Sequence, residues 1–189
     1  MRLVWKIVAT LVVGTALGLG VTWLLVFRIA PHRVSDGPWN TNLAAGSAQA
    51  DPDTRAFIAI HGLFALSRRE AVYYTAATDS DGRRLDGNCR YAIGGQEPDA
   101  RWWSITAYGP DGTLIANPAN RYSVSSQTIQ ADAKGDFTVS VGTTADGSNA
   151  IPVRAGPFSL TLRLYQPALA FVVDPAQAEL PVVQRIACP

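Results

Sequence analysis

The sequence predicts a mainly β protein, either an antiparallel sandwich or a jelly roll, with one packed α-helix and a single transmembrane helix in front of it. Two observations lead to this prediction. Residues 7–27 carry no charge, and at about 1.5 Å of rise per residue such a run spans roughly 30 Å, the thickness of a bilayer's hydrocarbon core. From residue 71 onward, short stretches alternate apolar and polar residues between turn residues, which is typical of strands with one buried face.

Residues 1–30 are predicted to form an uncleaved membrane anchor with a short cytoplasmic N-terminus. The alternative is a secretory signal that is cleaved near residues 16–18. Signal sequences carry apolar regions of about 7–15 residues, and this run continues to Phe27. The length therefore favours the anchor, and it makes the lipid bilayer the predicted partner of residues 7–27.

Cys89 and Cys188 are the only cysteines, and they lie far apart in the segment that follows the anchor. Such a pair suggests a disulfide and hence an oxidising compartment, whereas two free thiols in a cytosolic domain are the alternative. Basic residues flank the apolar run on both sides, so the positive-inside rule does not decide its orientation. The cysteines favour a cytoplasmic N-terminus and a bacterial inner-membrane, single-pass protein with a periplasmic domain.

The predicted membrane helix carries a pattern of small residues. Gly14 and Gly18 have the Gly-x-x-x-Gly spacing, and Gly20 repeats that spacing with Ala16. Small residues at this spacing let a second helix approach closely, so this face predicts a membrane-protein partner. The alternative is that the glycines have no such role, because glycine is common in membrane helices.

Residues 31–50 are predicted to be a linker because prolines, glycines and small polar residues dominate them, and residues 51–189 are predicted to be the folded domain. A helix is expected to begin at Asp51, with Pro52 in its first turn, and to run to about Leu66. Apolar residues lie on most sides of this helix, so burial is expected. His61 lies on it and is predicted to be a hydrogen-bonded core residue rather than a catalytic or metal-binding one.

Six strands are expected from the alternating pattern and the turn residues between them. They are 71–76, 89–93, 101–108, 113–116, 136–141 and 158–165. The last is the clearest, with Phe158, Leu160, Leu162 and Leu164 facing inward. Strands so far apart in sequence imply non-local pairing, and the order of elements shows no βαβ rhythm.

Three longer strings resemble the Domain of Unknown Function 1214 family. They are Trp103–Tyr108 with the turn after it, Asn117–Ser123, and Ala155–Pro167. The resemblance covers residues 51–167 and implies a β-sandwich of jelly-roll type, but no established reaction. Longer relatives often place this domain after a second domain of unknown function. Here a membrane helix takes that place, which puts any site shared between the two domains in doubt.

A ligand site is predicted around the Asn117–Ser123 string, because asparagine amides and a planar guanidinium group suit a sugar, a carboxylate or a phosphate. The proposed ligand-binding residues are Trp102, Tyr108, Asn117, Asn120, Arg121 and Arg163. The alternative is structural: the asparagines shape the connection, and Arg121 pairs with an acid such as Asp111 or Asp136.

Other classes of function find little support. The net charge is +1 without a basic stripe, so no nucleic-acid partner is expected. Residues 79–82 lack the full ligand set of a calcium loop and are predicted to be a turn, and no metal site, cofactor or catalytic residue is predicted. The sequence therefore favours a membrane-tethered interaction domain, an accessory or structural subunit of a larger membrane complex. The alternative is an envelope carbohydrate- or anionic-ligand-binding domain, with hydrolase activity left open.

Overall fold

The computed structural model describes residues 2–25, 33–42, 44–60, 66–176 and 178–189. Within these ranges the chain forms three α-helices and ten β-strands. The helices are α1 (Arg2–Leu24), α2 (Pro52–Ile60) and α3 (Leu169–Val173). The strands are β1 (Arg33–Asp36), β2 (Trp39–Asn42), β3 (Ala71–Ala76), β4 (Arg90–Gln96), β5 (Ala100–Tyr108), β6 (Ser123–Ser125), β7 (Asp136–Gly142), β8 (Ala150–Pro152), β9 (Ser159–Pro167) and β10 (Val182–Ala187).

The strands form two sheets, which confirms the mainly β prediction. One sheet has six strands in the order β1-β2-β3-β9-β5-β6, and the other has four in the order β10-β4-β7-β8. Neighbouring strands are antiparallel except for β7 and β8, which run parallel with Ser140 opposite Ala150. A fully antiparallel arrangement was therefore the wrong expectation at this edge, where the chain between β7 and β8 loops back before pairing. The jelly-roll connectivity stays a prediction.

Residues from both sheets contribute to one hydrophobic core. Leu160, Leu162 and Leu164 of β9 are fully buried, as the alternating pattern predicts. The ring of Trp103 in the six-stranded sheet stacks on that of Phe137 in the four-stranded sheet, with 5.0 Å between centroids. Period-two alternation was the strongest signal in the sequence because it depends only on the pleat of each strand.

The segment predicted as a linker contains a β-hairpin. Strands β1 and β2 pair with each other, and β2 then pairs with β3, so residues 33–42 belong to the six-stranded sheet. Trp39 is only 1% exposed, and its Nε1 donates a hydrogen bond to the carbonyl oxygen of Pro181 at 2.7 Å. The linker prediction was wrong here because each strand has four residues, too few for a periodic signal, and because Trp39 finds its partner far along the chain.

Helix α2 begins where the sequence predicts. The Asp51 carboxylate caps it by accepting hydrogen bonds from the backbone N–H and the hydroxyl of Thr54, at 2.9 and 2.7 Å. The helix is described to Ile60, and His61 lies outside the described residues. Ile60 is 60% exposed, so burial over most sides of the helix was a wrong expectation.

The short helix α3 packs against the core. Phe171 of α3 is 5% exposed, and its ring meets that of Tyr74 at 6.5 Å. The predicted strand at 113–116 is reduced to one bridge between Tyr108 and Leu114. Both differences arise because neighbouring segments in space, rather than local pattern, decide which segments pair or pack.

Helix α1 is long and apolar enough to cross a membrane, with a mean hydropathy of 2.0 over an 18-residue window. None of its residues is buried against the rest of the chain. A Cβ placed on Gly14, Gly18 or Gly20 would meet no heavy atom within 4 Å. The apolar run continues beyond the end of the helix to Phe27, which lies outside the described residues.

A disulfide joins Cys89 and Cys188, as the sequence predicts. Cys89 precedes β4 and Cys188 follows β10, and these two strands are paired neighbours in the four-stranded sheet. The bond therefore ties the C-terminal strand to the strand beside it.

Candidate functional site

The side of the six-stranded sheet that faces away from the core carries polar and aromatic residues, and we call it the outer face. It is defined by Tyr73, Trp102, Thr106, Tyr108, Arg163 and Tyr165. The register explains this grouping. Arg163 of β9 lies opposite Tyr73 of β3, and Tyr165 lies opposite Trp102 of β5. Since side chains alternate along each strand, these residues all point opposite to the buried leucines.

Arg163 links β9 to β5 across the outer face. Its Nη2 donates a hydrogen bond to the hydroxyl of Tyr108 at 2.6 Å, and its Nη1 donates to Oγ1 of Thr106 at 3.1 Å. The guanidinium carbon also lies 5.3 Å from the centre of the Tyr108 ring. Two members of the predicted ligand site, Arg163 and Tyr108, are thus brought together, but in a contact that stabilises strand pairing.

Three aromatic rings form a row beside Arg163. The ring of Tyr165 meets that of Trp102 at 5.4 Å and that of Tyr73 at 6.3 Å, both edge to face. Burial raises the pKa of Tyr73 to about 12, and the hydrogen bond and charge of Tyr165 add to this effect. The positive charge of Arg163 acts in the opposite direction. Tyr73 is therefore neutral at physiological pH and offers an amphipathic surface.

A groove of about 520 Å³ opens at one end of this row. It is lined by Leu66, Glu70, Arg101, Trp102, Gln127, Tyr165 and Gln166. Arg101 donates from Nη1 to Oε1 of Gln166 at 3.1 Å, and the backbone N–H of Gln166 donates to the carbonyl of Glu70 at 2.8 Å. Gln166 has φ of 46°, an uncommon conformation for a residue other than glycine.

Sequence reasoning found only Trp102 among the residues of this groove. Tyr165 belongs to the alternating pattern of β9 but was not predicted as a site residue, and Leu66, Glu70 and Gln127 lie in loops, where no periodic signal marks them. Gln166 lies near the end of β9, where its side-chain oxygen accepts from Arg101 and its backbone N–H donates to Glu70, so residues of two other segments fix its position. The order of residues along the chain therefore carried no indication that these side chains meet.

Asn117 and Asn120 hold a turn, as the structural alternative predicts. The Asn117 amide nitrogen donates to the carbonyls of Ile115 and Arg121 at 3.1 and 2.9 Å, and its oxygen accepts from the Arg121 N–H at 3.1 Å. Asn120 has φ of 49°, the left-handed conformation that asparagine tolerates. The Asn117 side chain therefore serves the backbone of its own turn, and the Asn120 side chain accepts a hydrogen bond from the Tyr122 hydroxyl at 3.3 Å.

Arg121 does not pair with either acid considered above. Its guanidinium donates to the backbone carbonyls of Gly147 and Ser148, the latter at 3.2 Å. Asp111 instead accepts from the N–H and hydroxyl of Thr113, and the backbone hydrogen bond above all holds the pKa of this carboxyl below its usual value. The contacts of Arg121 thus tie its turn to the loop before β8 and not to the outer face.

Residues 79–82 form the predicted turn. The Asp79 N–H donates to the carbonyl of Arg83 at 2.8 Å, and the Asp79 carboxylate, 1% exposed, accepts from the N–H groups of Asp81 and Arg83. It also forms ion pairs with Arg83 and Arg185 at 3.1 and 3.0 Å. Across the described ranges, no group of three or more histidine, cysteine or acidic residues is placed to hold a metal ion.

Comparison with protein families identifies the chain. The family model described as "Protein of unknown function (DUF1214)" matches residues 70–169, which is more than half of the sequence. The chain belongs to the DUF1214 family. The match includes the outer face, the Asn117 turn and β9, and it begins at Glu70, a residue of the groove. The family resemblance in the sequence is therefore confirmed.

Two solved structures are similar to this DUF1214 chain. The VPA0106 protein from Vibrio parahaemolyticus is 29% identical, with a TM-score of 0.63, and the match covers 74% of this chain and 36% of that protein. An uncharacterised protein from Burkholderia cenocepacia is 15% identical with a TM-score of 0.45, covering 88% and 38% of the two chains. The matched part thus spans just over a third of each structure's length. No curated protein matches the chain.

Proposed function

We propose that the protein is a single-pass, membrane-tethered interaction domain, an accessory or structural subunit of a larger membrane complex. The observation that carries the proposal is α1, which is long and apolar enough to cross a bilayer and packs none of its residues against the described remainder of the chain. A bilayer would bury this surface, at about 25 cal/mol per Å² of apolar area. The β domain would then be held close to the membrane surface.

The disulfide supports an extracytoplasmic location for the β domain. Disulfides persist in the periplasm and at cell surfaces, and are rare among cytosolic proteins of mesophiles. Cys89 and Cys188 are the only cysteines, and they are bonded to each other. We infer that the N-terminus is cytoplasmic and the β domain periplasmic.

The partner is proposed to pack on the Gly14/Gly18 face of α1, whereas Gly20 lies with Ala16 about 200° around the helix from Gly18. Space around these glycines is open, so a second helix could approach closely. Mild detergent extraction of the full chain from native membranes tests this. We expect a complex larger than the monomer, and a variant with Gly14→Leu and Gly18→Leu should lose the co-purifying partner.

The matched control for this experiment is Ala9→Leu, which also replaces a small residue with leucine, at a position about 140° around the helix from Gly14. It should leave the complex intact. Migration of the unaltered protein only as a free monomer, without any co-purifying partner, would count against the interaction proposal. Equal loss of the partner in both variants would indicate that the contact does not lie on the Gly14/Gly18 face.

A second candidate function is binding of an envelope carbohydrate, and the groove favours it. Aromatic rings of Trp102 and Tyr165 adjoin the amides of Gln127 and Gln166 and the guanidinium of Arg101. Pockets that recognise sugars need such an apolar platform together with a few placed polar groups. The ligand is proposed to lie along the Trp102 ring, with its hydroxyls directed to the polar side chains.

Titration with N-acetylglucosamine oligomers, followed by tryptophan fluorescence and calorimetry, tests the carbohydrate candidate. Trp102→Ala should weaken binding about tenfold or more, since losing about 1.4 kcal/mol corresponds to tenfold. Arg121→Ala is the matched control, because Arg121 binds the carbonyls of Gly147 and Ser148 away from the groove. No binding by the unaltered protein, or an equal loss in both variants, would reject this candidate.

A further inference from the structure

The register of the six-stranded sheet shows which end of the domain receives the chain from α1. Arg33 starts β1 opposite Asn42 of β2, and Asn40 lies opposite Thr75 of β3. Continuing this pairing places Asn42, and therefore Arg33, at the level of Tyr73. The turn of the hairpin lies at the other end. The chain that follows the membrane helix thus enters the sheet at the end where β3 begins and β9 finishes.

Three large apolar side chains lie exposed at this same end, and we call them the apolar tip. Leu66 is 41% exposed, Leu169 73% and Val173 71%. Leu66 precedes β3, whereas Leu169 and Val173 belong to α3, which begins two residues after β9. Spaced four apart on a helix, Leu169 and Val173 share one face, and Phe171 of the same helix points into the core.

Two hydrogen bonds hold the parts of the apolar tip together. Arg68 donates from Nη1 to the carbonyl of Val172 at 3.3 Å, which joins the loop before β3 to α3. The Gln166 N–H donates to the carbonyl of Glu70 at 2.8 Å, which joins that loop to the end of β9. Large apolar side chains exposed together at one end of a folded domain indicate an interaction surface.

The tether sets how far this surface lies from the bilayer. Six residue steps separate Phe27, the end of the apolar run, from Arg33, and they span at most about 20 Å. Ala71 lies two residues before Tyr73 in β3, so the apolar tip lies roughly 7 Å further along the strand direction than Arg33, at the end of the sheet that the tether enters. The polar headgroup layer is itself about 5–8 Å thick.

We propose that the apolar tip inserts into the interfacial layer of the bilayer that α1 crosses, and so holds the β domain in a fixed orientation on the membrane. This inference rests on the proposed membrane anchoring. The proposed partner of the apolar tip is a lipid surface, because the tip and the entry point of the tether lie at the same end of the sheet. Leucine and valine side chains are stabilised when they leave water for an apolar layer, which suits shallow insertion.

Charge around the tip indicates which lipids it needs. Among residues at this end whose exposure the structure describes, the exposed or half-exposed bases are Arg68, Arg69 and Arg101, and the exposed acids are Glu70, Asp99 and Asp174. Arg33 at the start of β1 adds one further positive charge, so the two signs nearly balance and strong attraction to anionic lipid is not required. Docking should therefore be as strong on vesicles of phosphatidylcholine alone as on vesicles that also contain phosphatidylglycerol.

Spin labelling of the full chain in vesicles tests the proposal. Cys89 and Cys188 are bonded to each other, so a nitroxide reagent attaches only to an added thiol. We expect the label at Leu169→Cys, and again at Val173→Cys, to show increased collision with oxygen, which concentrates in lipid, and decreased collision with a water-soluble nickel chelate. Leu169 and Val173 are exposed, so neither substitution disturbs the core.

The matched control is Leu114→Cys, because Leu114 is also exposed, at 47%, and bridges Tyr108 at the opposite end of β5. That end lies about 20 Å from Trp102 along the strand. The label at residue 114 should behave as in water. Equal behaviour at residues 114 and 169 would overturn the proposal, and so would shielding of residue 169 from both oxygen and nickel, which indicates cover by protein.

Flotation of the same vesicles after a carbonate wash separates this inference from the anchoring on which it rests. Protein that floats while its label at residue 169 remains in water is anchored but undocked, which overturns only the further inference. Protein that fails to float overturns the anchoring as well. Floating protein with a lipid-exposed label at residues 169 and 173, on both lipid compositions, supports the two together.

Discussion

Asn117 and Arg121, two polar residues of one connection, form hydrogen bonds with backbone groups. Asn117 binds two carbonyls and one N–H between residues 115 and 121, and Arg121 donates to the carbonyls of Gly147 and Ser148. Backbone N–H and C=O groups buried in loops cannot pair in a β-ladder, so amide and guanidinium side chains form hydrogen bonds with them instead. An unusual density of asparagine and arginine in a connection therefore indicates a structured turn as readily as a ligand site.

Asn117→Ala should destabilise the domain by about 1–3 kcal/mol, since it removes three hydrogen bonds and leaves part-buried backbone groups unpaired. Urea denaturation followed by tryptophan fluorescence measures the change. Asn120→Gly is the control in the same turn, and glycine tolerates the φ of 49° found there, so stability should change little. A neutral Asn117→Ala variant would contradict the structural role.

The raised pKa of Tyr73 predicts that the stability of the domain falls at alkaline pH. Its pKa of about 12 in the folded state exceeds the ordinary value of 10.0, mainly because of burial. Between these pH values the folded state binds more protons than the unfolded state, so the free energy of unfolding falls as pH rises from 10 to 12. Denaturation at several pH values should show that the free energy of unfolding declines less steeply between pH 10 and 12 in the Tyr73→Phe variant. An unchanged pH dependence in that variant would contradict the assignment.

Among the secondary-structure elements, the hairpin β1–β2 and the helix α3 do more for the domain than the sequence indicated. The hairpin extends the six-stranded sheet, and its Trp39 reaches the chain just before β10. Helix α3 supplies Phe171 to the core and exposes Leu169 and Val173 beside it. Short elements such as these are stabilised by tertiary contacts rather than by propensity.

Trp39→Phe should lower the free energy of unfolding by about 1–3 kcal/mol, because the ring volume is reduced and the buried carbonyl of Pro181 loses its donor. Thermal denaturation measures this effect. Trp102→Phe is the comparison, since Trp102 lies half-exposed on the outer face, and it should cost less. Equal costs for the two substitutions would mean that the hairpin is not part of the cooperative unit.

For the whole molecule, the disulfide closes a long loop that contains most of the domain. Cys89 and Cys188 are separated by 99 positions, and they connect two adjacent strands of the four-stranded sheet. In the chain-entropy account, cross-links that close long loops remove the most freedom from the unfolded chain. The bond therefore stabilises the folded domain relative to the unfolded chain.

Reduction should lower the free energy of unfolding by up to about 4.7 kcal/mol, the chain-entropy value for a loop of roughly 100 residues. Denaturation with and without dithiothreitol measures this. Intact mass after alkylation under non-reducing conditions should show no added groups, and two after reduction. Two alkylated thiols in protein isolated without reductant would contradict both the disulfide and the inferred orientation.

The sequence alone predicted what depends on local pattern. The apolar run of α1, the cap at Asp51 and the alternating strands all follow from residues near each other in the chain, and the strings around Trp103, Asn117 and β9 marked the family. The tertiary structure decided what depends on distant partners. It paired β7 with β8 in parallel, and it assembled the groove from four separate segments and the apolar tip from two. The physical reason is that a residue's pattern is local, whereas its neighbours across a sheet are set by the packing of the entire chain.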